Sequence, residues 1–354
     1  MEITQEQVLG ALSFVIEPDL KKDIISLGFV SDIKIEGNKI SCTVQASNPA
    51  MHNRKRIEDA CDHQLKLKIG NEVETSVSIV PMNEDNQTDP QVRKVLPGVK
   101  HIIAVASGKG GVGKSTITSN IAAGLAKRGY KVGLIDADIY GPSVPIMFDV
   151  QLHKPGMKDI NGKSFMTPVE AYGVKILSIG FFADTDQAIV WRGPMASKAL
   201  DQMVKDVYWG DLDYMLIDLP PGTGDVHLSI VQAVPLSGAI VVSTPQQVAL
   251  ADARKGINMF QMDSIKVPVL GLVENMSYFT PAELPDNKYY IFGKDGAKEL
   301  SEKMNTPLLA QIPLVQSIRE SGDVGRPAVL QDNTASSNAF ESLVDSVIKT
   351  MENK

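Results

Sequence analysis

The chain has 354 residues and a formal net charge of -7; this is ordinary globular composition with room for two or three domains, and the acidic balance argues against a broad nucleic-acid-binding surface. No apolar run approaches the ~20 residues of a membrane span, and Met1 is followed by acidic and polar residues rather than a basic segment with an apolar core, so the protein is expected to be cytoplasmic, with no signal peptide. The two cysteines, Cys42 and Cys61, form no CxxC pair, which excludes a disulfide framework and makes both structural residues at first reading.

Residues 1–80 read as a small α+β domain. Val8, Leu12, Val15 and Ile16 recur at helical spacing and predict a helix ended by Pro18. Phe29–Ile35 and Ile40–Val44 alternate apolar and polar residues around Glu36-Gly37-Asn38 and predict a hairpin. A helix after Pro49 and a strand over Val73–Val80 complete the unit. Residues 81–97 contain Asn-Glu-Asp-Asn-Gln-Thr-Asp-Pro and read as a linker.

From 98 to 354, short apolar strands alternate with longer helical patterns. The strand candidates are His101–Ser107, Lys131–Asp136, Val174–Ile179, Tyr214–Asp218, Ala239–Ser243, Val269–Glu274 and Leu308–Ile312. The alternation predicts an α/β fold: a mostly parallel, doubly wound sheet with helices on both faces, binding ligands beyond the carboxyl ends of its strands. The C-terminal run Phe340, Leu343, Val344, Val347, Ile348 and Met351 is amphipathic. Its polar residues include Glu341, Asp345 and Glu352, so it lacks the basic face that anionic lipid favours and is expected to pack on its own domain.

The chemistry concentrates at those strand ends. Gly108-Lys109-Gly110-Gly111-Val112-Gly113-Lys114-Ser115-Thr116 follows an apolar strand and opens the helical run Lys114–Lys127, the setting of a phosphate-binding loop. Glycines let the backbone N–H groups and the helix N-terminus face phosphates; Lys114 would reach the β/γ-phosphates, and Ser115 would ligate Mg²⁺. After the second strand, Asp136 and Asp138 lie on the same side of an extended chain; Asp138 is the candidate for orienting the attacking water and Asp136 for supporting the metal. Tyr214–Asp218 resembles a Walker B strand whose Asp218 holds Mg²⁺ through water or Ser115. It runs into Leu219-Pro220-Pro221-Gly222-Thr223-Gly224-Asp225, a candidate switch loop in which Asp225 reads first as a helix N-cap. Asn275, after the strand Val269–Val273, could pair with an adenine edge or serve a turn.

The doubled-lysine loop is similar to the deviant Walker A motif of ParA/MinD-type ATPases. Trp191-Arg192-Gly193-Pro194-Met195, Trp209-Gly210-Asp211-Leu212-Asp213-Tyr214, the Asp218–Asp225 run, Thr244-Pro245-Gln246 and Glu274-Asn275-Met276-Ser277-Tyr278-Phe279 narrow the resemblance to the Mrp/ApbC family of iron–sulfur cluster carrier ATPases. Ile16-Glu17-Pro18-Asp19, Asp23–Gly28 and Asn48-Pro49 resemble the MIP18-type (DUF59) domain often fused to that family. The resemblance implies ATP and Mg²⁺, a homodimer in which Lys109 reaches the partner's phosphate, catalytic roles for Lys109, Lys114 and Asp138, and adenine flanked by Asn275 and the backbone near Pro313. It implies apo iron–sulfur client proteins and scaffold proteins as partners, with no nucleic acid and no membrane.

The chain departs from the family where cluster ligands are expected. Carriers have a CxxC pair shortly after the Asn-Met-Ser-Tyr-Phe segment, which would hold one [4Fe–4S] cluster across a dimer; here the sequence continues Thr280-Pro281-Ala282-Glu283-Leu284-Pro285. The small domain has Pro49-Ala50-Met51-His52 where a cysteine usually follows the proline. Three routes to an iron–sulfur role follow: thiolates from Cys42 or Cys61, weaker ligation by Glu283, Asp286 or His52, or action on a cluster carried by a partner. The third is preferred because carboxylates match poorly with clusters that select soft ligands. The alternatives are a ParA/MinD-like positioning ATPase and a nucleotide-switched adaptor without its own cluster.

Overall fold

A computed structural model describes the chain apart from residues 1–2, 19, 48–50, 71, 82–94, 140, 161, 183–192, 263–264, 282, 285 and 354. Trp191, Arg192, Asp19, Asn48-Pro49 and most of the expected linker therefore lie outside the described residues, as do the side chains of His52 and Asp225. The chain forms two compact units, one containing Met1–Pro97 and the other Gly98–Val231 and Leu236–Lys354.

In the first unit, helix α1 (Gln5–Leu12) starts at a capping box in which the Thr4 side chain accepts from Gln7 N and the Gln7 side chain accepts from Thr4 N. The helix stops before Val15 and Ile16, earlier than its apolar spacing predicts. Ser13 Oγ donates to Gly10 O, and the carbonyl of Val15 accepts instead from Ile24 N, so the chain turns into a loop and leaves Ile16 exposed. Strands β1 (Val30–Glu36) and β2 (Lys39–Ala46) form the expected hairpin, closed at Gly37 with φ 64°. Helix α2 (Met51–Ile69) returns the chain so that β3 (Glu74–Pro81) pairs parallel to β2, giving the sheet order β1-β2-β3. Val8, Leu12, Phe29, Ile40, Ile57 and Leu65 fill the core, with Cys42 and Cys61 among them.

The second unit opens with β4 (Val99–Ser107), α3 (Lys114–Lys127), β5 (Val132–Asp136) and the short α4 (Val144–Met147). The ribbon β6 (Gly156–Ile160) and β7 (Lys163–Thr167) precedes β8 (Val169–Ala171), β9 (Val174–Ser178), α5 (Gly193–Lys205) and β10 (Leu212–Asp218). Then come α6 (Asp225–Ala233), β11 (Gly238–Ser243), α7 (Gln247–Gln261), β12 (Val269–Glu274), α8 (Gly296–Met304), β13 (Leu308–Gln311), α9 (Gln316–Asp323) and α10 (Ala335–Glu352).

All seven expected strands form and lie parallel, in the order β13-β12-β11-β4-β10-β5-β9, with β8 added antiparallel at the edge. Every residue of β5 and of β11 is buried, as a sheet covered on both faces requires. The β6–β7 ribbon carries no apolar alternation that would announce it; β6 is almost wholly exposed. Helix α10 packs through Phe340, Leu343, Val344 and Val347. It meets α3 at Gly124, where a Cβ would stand 2.6 Å from Val344 Cγ2, and is clamped by Lys127–Glu341 (2.7 Å) and Arg128–Asp345 (2.6 Å). Among the described residues no helix is long and apolar enough to cross a membrane.

Candidate nucleotide site

The loop between β4 and α3 has the backbone that its glycines permit. Gly111 and Gly113 take φ of 80° and 85°, where a side chain is strained. Two other restraints come from neighbours: a Cβ on Gly108 would lie 2.2 Å from the backbone of Asp252, and one on Gly113 would lie 2.1 Å from Asn275 Nδ2. Ser107 Oγ donates to Lys109 O (2.9 Å), and Asn275 Nδ2 donates to Val112 O (2.8 Å), so the loop is braced from both sides. Gly113 caps α3 without a side-chain hydrogen bond, which leaves the first-turn N–H groups to an anion.

Lys114, Ser115 and Thr118 converge on one carboxylate at the end of β10. Lys114 Nζ lies 2.8 Å from Asp218 Oδ2 and 3.5 Å from Asp138 Oδ2. Ser115 Oγ donates to Asp218 Oδ2 (2.5 Å), and Thr118 Oγ1 donates to Asp218 Oδ1 (2.7 Å). Parallel pairing of β10 with β4 and β5 sets Asp218 opposite Val105 and Asp136, so register alone brings the P-loop strand and both acidic strands together.

Asp136 departs from the expected metal support. It is fully buried, and its oxygens accept from Ser178 Oγ (2.9 Å), Val144 N (3.2 Å) and Asp138 N (3.2 Å). Burial, and next the charge of Asp218, push its carboxyl up to about 7. The geometry makes it a brace that fixes Asp138, α4 and the end of β9. Thr118, Ser178 and this bracing role were not visible in sequence motifs. Only Thr118 had a signal: it stands four residues after Lys114, one helical turn on and so on the same face.

The switch loop is tied to β4 at its start, with Leu219 N donating to Val105 O and Gly222 N to Ser107 O, while Thr223 and Gly224 are exposed. Lys109 is half-buried, and among the described residues it makes no salt bridge. Beside the P-loop, a cavity of about 320 Å³ is lined by Gly113, Thr116, Met147, Asn275, Pro313 and Arg319, among others. Asn275 and Pro313 thus share a pocket with the P-loop, and one N–H of the Asn275 amide is committed to Val112 O.

The candidate cluster ligands fall elsewhere. Cys42 and Cys61 lie in the core of the first unit, where burial pushes their thiols up to about 11 and about 12. Glu283 and Asp286 are exposed loop residues, and the described residues contain no group of three or more His, Cys, Asp or Glu side chains placed to hold a metal.

Comparison with known proteins gives one consistent answer. Residues 98–348 match the model of a ParA-type family described as the NUBPL iron-transfer P-loop NTPase, and residues 5–79 match one described as an iron-sulfur cluster assembly protein. An iron-sulfur cluster carrier protein of Synechocystis is 42% identical over 347 residues, covering 98% of this chain and 97% of that protein. An Arabidopsis iron-sulfur protein required for mitochondrial NADH dehydrogenase is 51% identical over 259 residues, covering 73% of this chain and 80% of its own length. Among solved structures, an ADP-bound nucleotide-binding protein of Archaeoglobus fulgidus aligns with TM-score 0.57 at 39% identity, over 65% of this chain and 88% of that one. The cell-division ATPase MinD of Pyrococcus furiosus aligns with TM-score 0.51 at 25% identity, over 70% and 98%.

Proposed function

The chain belongs to the family of NUBPL iron-transfer P-loop NTPases, and from that premise we propose that it is a Mg²⁺-dependent ATPase that assists iron–sulfur cluster assembly on client apoproteins, working as a cytoplasmic homodimer. The observation that carries the reading is the convergence of Lys114, Ser115 and Thr118 on the buried Asp218, with Asp138 3.5 Å from the same lysine. Hydroxyl and carboxylate oxygens form the hard donor set that suits Mg²⁺, with Ser115 and Asp218 as its holders. Bound there, Mg²⁺ would supply charge neutralisation for the phosphate oxygens.

The remaining work falls to the chain. The N–H groups of Gly108 to Thr116 cradle the phosphates, and Lys114 exchanges its carboxylate partner for phosphate oxygens. Asp138, held by Asp136 through its own N–H, orients the attacking water. Lys109 reaches the phosphate of the partner subunit. Adenine enters the pocket between Asn275 and Pro313.

The cluster is cargo. With both cysteines buried in the core of the first unit, the protein acts on a cluster carried by a scaffold, and hydrolysis resets the surface that holds scaffold or client. Helix α10 weighs against the positioning-ATPase alternative, because its apolar face is consumed by α3 and the sheet.

Steady-state hydrolysis by wild type, Asp138→Ala and Lys109→Ala tests the enzymatic half. Asp138→Ala is expected to lose at least ~100-fold in turnover while keeping ATP binding. Undiminished turnover removes Asp138 from the mechanism.

A further inference from the structure

Among the described residues of the ATPase unit, three buried side-chain atoms lack a hydrogen-bond partner: His227 Nε2, Thr244 Oγ1 and Ser277 Oγ. All three belong to segments that leave the carboxyl ends of strands in the central sheet, β11, β12 and β10. Thr244 directly follows β11, Ser277 lies three residues past β12, and His227 sits in the first turn of α6, which the switch loop feeds from β10. A hydroxyl can rotate toward a new partner. A packed imidazole has no such freedom, so His227 is the informative member of the set.

The ring of His227 is 2% exposed and lies 6.4 Å from that of Phe260 on α7, centroid to centroid. Burial, and next the positive charge of Lys114, pull its pKa down to about 4, so at neutral pH it is an uncharged imidazole with one donor and one acceptor nitrogen. A buried polar atom left unpaired has given up its hydration with nothing in return. Phenylalanine would pack against Phe260 without that cost. The position therefore holds a polar group that is unsatisfied in this arrangement of the switch loop. Leu219 and Gly222 are tied to β4, whereas Thr223 and Gly224, four and three residues before His227, are exposed, with Gly224 O accepting from Leu228 N at the start of α6. A side chain in the third position of a helix is within reach of the residue that caps it.

We propose that His227 is a positioning residue of the ATP switch, whose Nε2 takes up a hydrogen bond with the Thr223–Gly224 end of the loop when that loop closes on the γ-phosphate. The bond fixes the loop to α6 and, through the ring's contact with Phe260, to α7. The inference rests on the ATPase reading and adds to it the element that holds the closed state.

The test compares wild type with His227→Phe, His227→Gln and His227→Asn in the full chain. Gln carries its amide at the reach of Nε2 and Asn at the reach of Nδ1. Two quantities are read: the thermal midpoint with and without Mg-ATPγS, and kcat with KM for ATP. His227→Phe is expected to keep or raise the nucleotide-free midpoint, to lose most of the increment given by Mg-ATPγS, and to lower kcat by about 10-fold with little change in KM. His227→Gln is expected to stay within about threefold of wild type, and His227→Asn to behave like His227→Phe. A fully active His227→Phe, or equal activity of the Gln and Asn variants, overturns the assignment while leaving the ATPase reading intact. Wild-type protein that neither binds nor hydrolyses Mg-ATP overturns both.

Discussion

Thr118 carries no motif, yet its hydroxyl donates to Asp218 Oδ1 at 2.7 Å, and both side chains are fully buried. Replacing it with valine keeps the branched shape and removes the hydroxyl. Lys114 O also lies within reach of the hydroxyl's single proton, at 2.9 Å, but it is a carbonyl already inside the helix ladder, so the principal loss is at the carboxylate. A hydrogen bond to a charged group contributes about 1.5–3 kcal/mol, and the buried oxygen it leaves behind bears the full desolvation cost. Thr118→Val is therefore expected to destabilise the ATPase unit by about 2 kcal/mol, a drop of roughly 4–8 °C in its thermal midpoint for a unit of this size. Both tryptophans, Trp191 and Trp209, lie in that unit, so tryptophan fluorescence during denaturation follows it selectively. Thr118→Ser, which keeps the donor, should recover most of the loss and bind Mg-ATP as wild type does. Equal midpoints for wild type and Thr118→Val would refute the claim that this hydroxyl holds Asp218.

Three further outcomes follow from the same geometry. Gly113→Ala places a Cβ 2.1 Å from Asn275 Nδ2 at φ 85°, so it should expel Asn275 from Val112 O and weaken ATP binding by about 10-fold or more in isothermal titration; unaltered affinity would mean the brace is dispensable. Asp136 holds its proton up to about pH 7 when folded but near 3.8 when unfolded; the native state binds the extra proton between those values, so its contribution to stability is greatest at low pH and is lost as pH rises through about 7. Urea midpoints of nucleotide-free Asp136→Asn should therefore improve relative to wild type between pH 4 and pH 8, and parallel profiles would contradict this. Cys42 and Cys61, buried with thiols raised to about 11 and about 12, should resist a thiol reagent until the protein unfolds, and anaerobic treatment with iron and sulfide should give no stoichiometric cluster in wild type or in the double-Ala variant.

The sequence made the nucleotide site legible because phosphate binding demands particular residue types at fixed spacing. Gly111 and Gly113 must take positive φ, Lys114 and Ser115 must follow at the helix start, and Asp218 must end an apolar strand. The seven parallel strands were legible for a related reason: buried on both faces, they are continuous apolar runs. What stayed hidden depends on neighbours distant in sequence. Asp136 carries the same motif whether its oxygens face a metal or Ser178 and Val144, and only the placement of β9 beside β5 decides. The brace that Asn275 gives the phosphate loop, through its amide nitrogen and Val112 O, is likewise invisible until Gly113 is seen packed against it. The exposed β6–β7 ribbon has no burial pattern to betray it, and the early end of α1 is set by hydrogen bonds to residues 22–24 that helical periodicity does not encode.

The measurement that tests the central claim most directly is transfer of a [4Fe–4S] cluster from a loaded scaffold protein to an apo dehydratase, followed by recovered dehydratase activity with and without Mg-ATP. The account predicts faster recovery with wild-type protein and ATP, loss of that acceleration with Asp138→Ala, and full acceleration with the Cys42/Cys61 double-Ala variant. Recovery indifferent to ATP, or abolished by the cysteine substitutions in a folded protein, would contradict it.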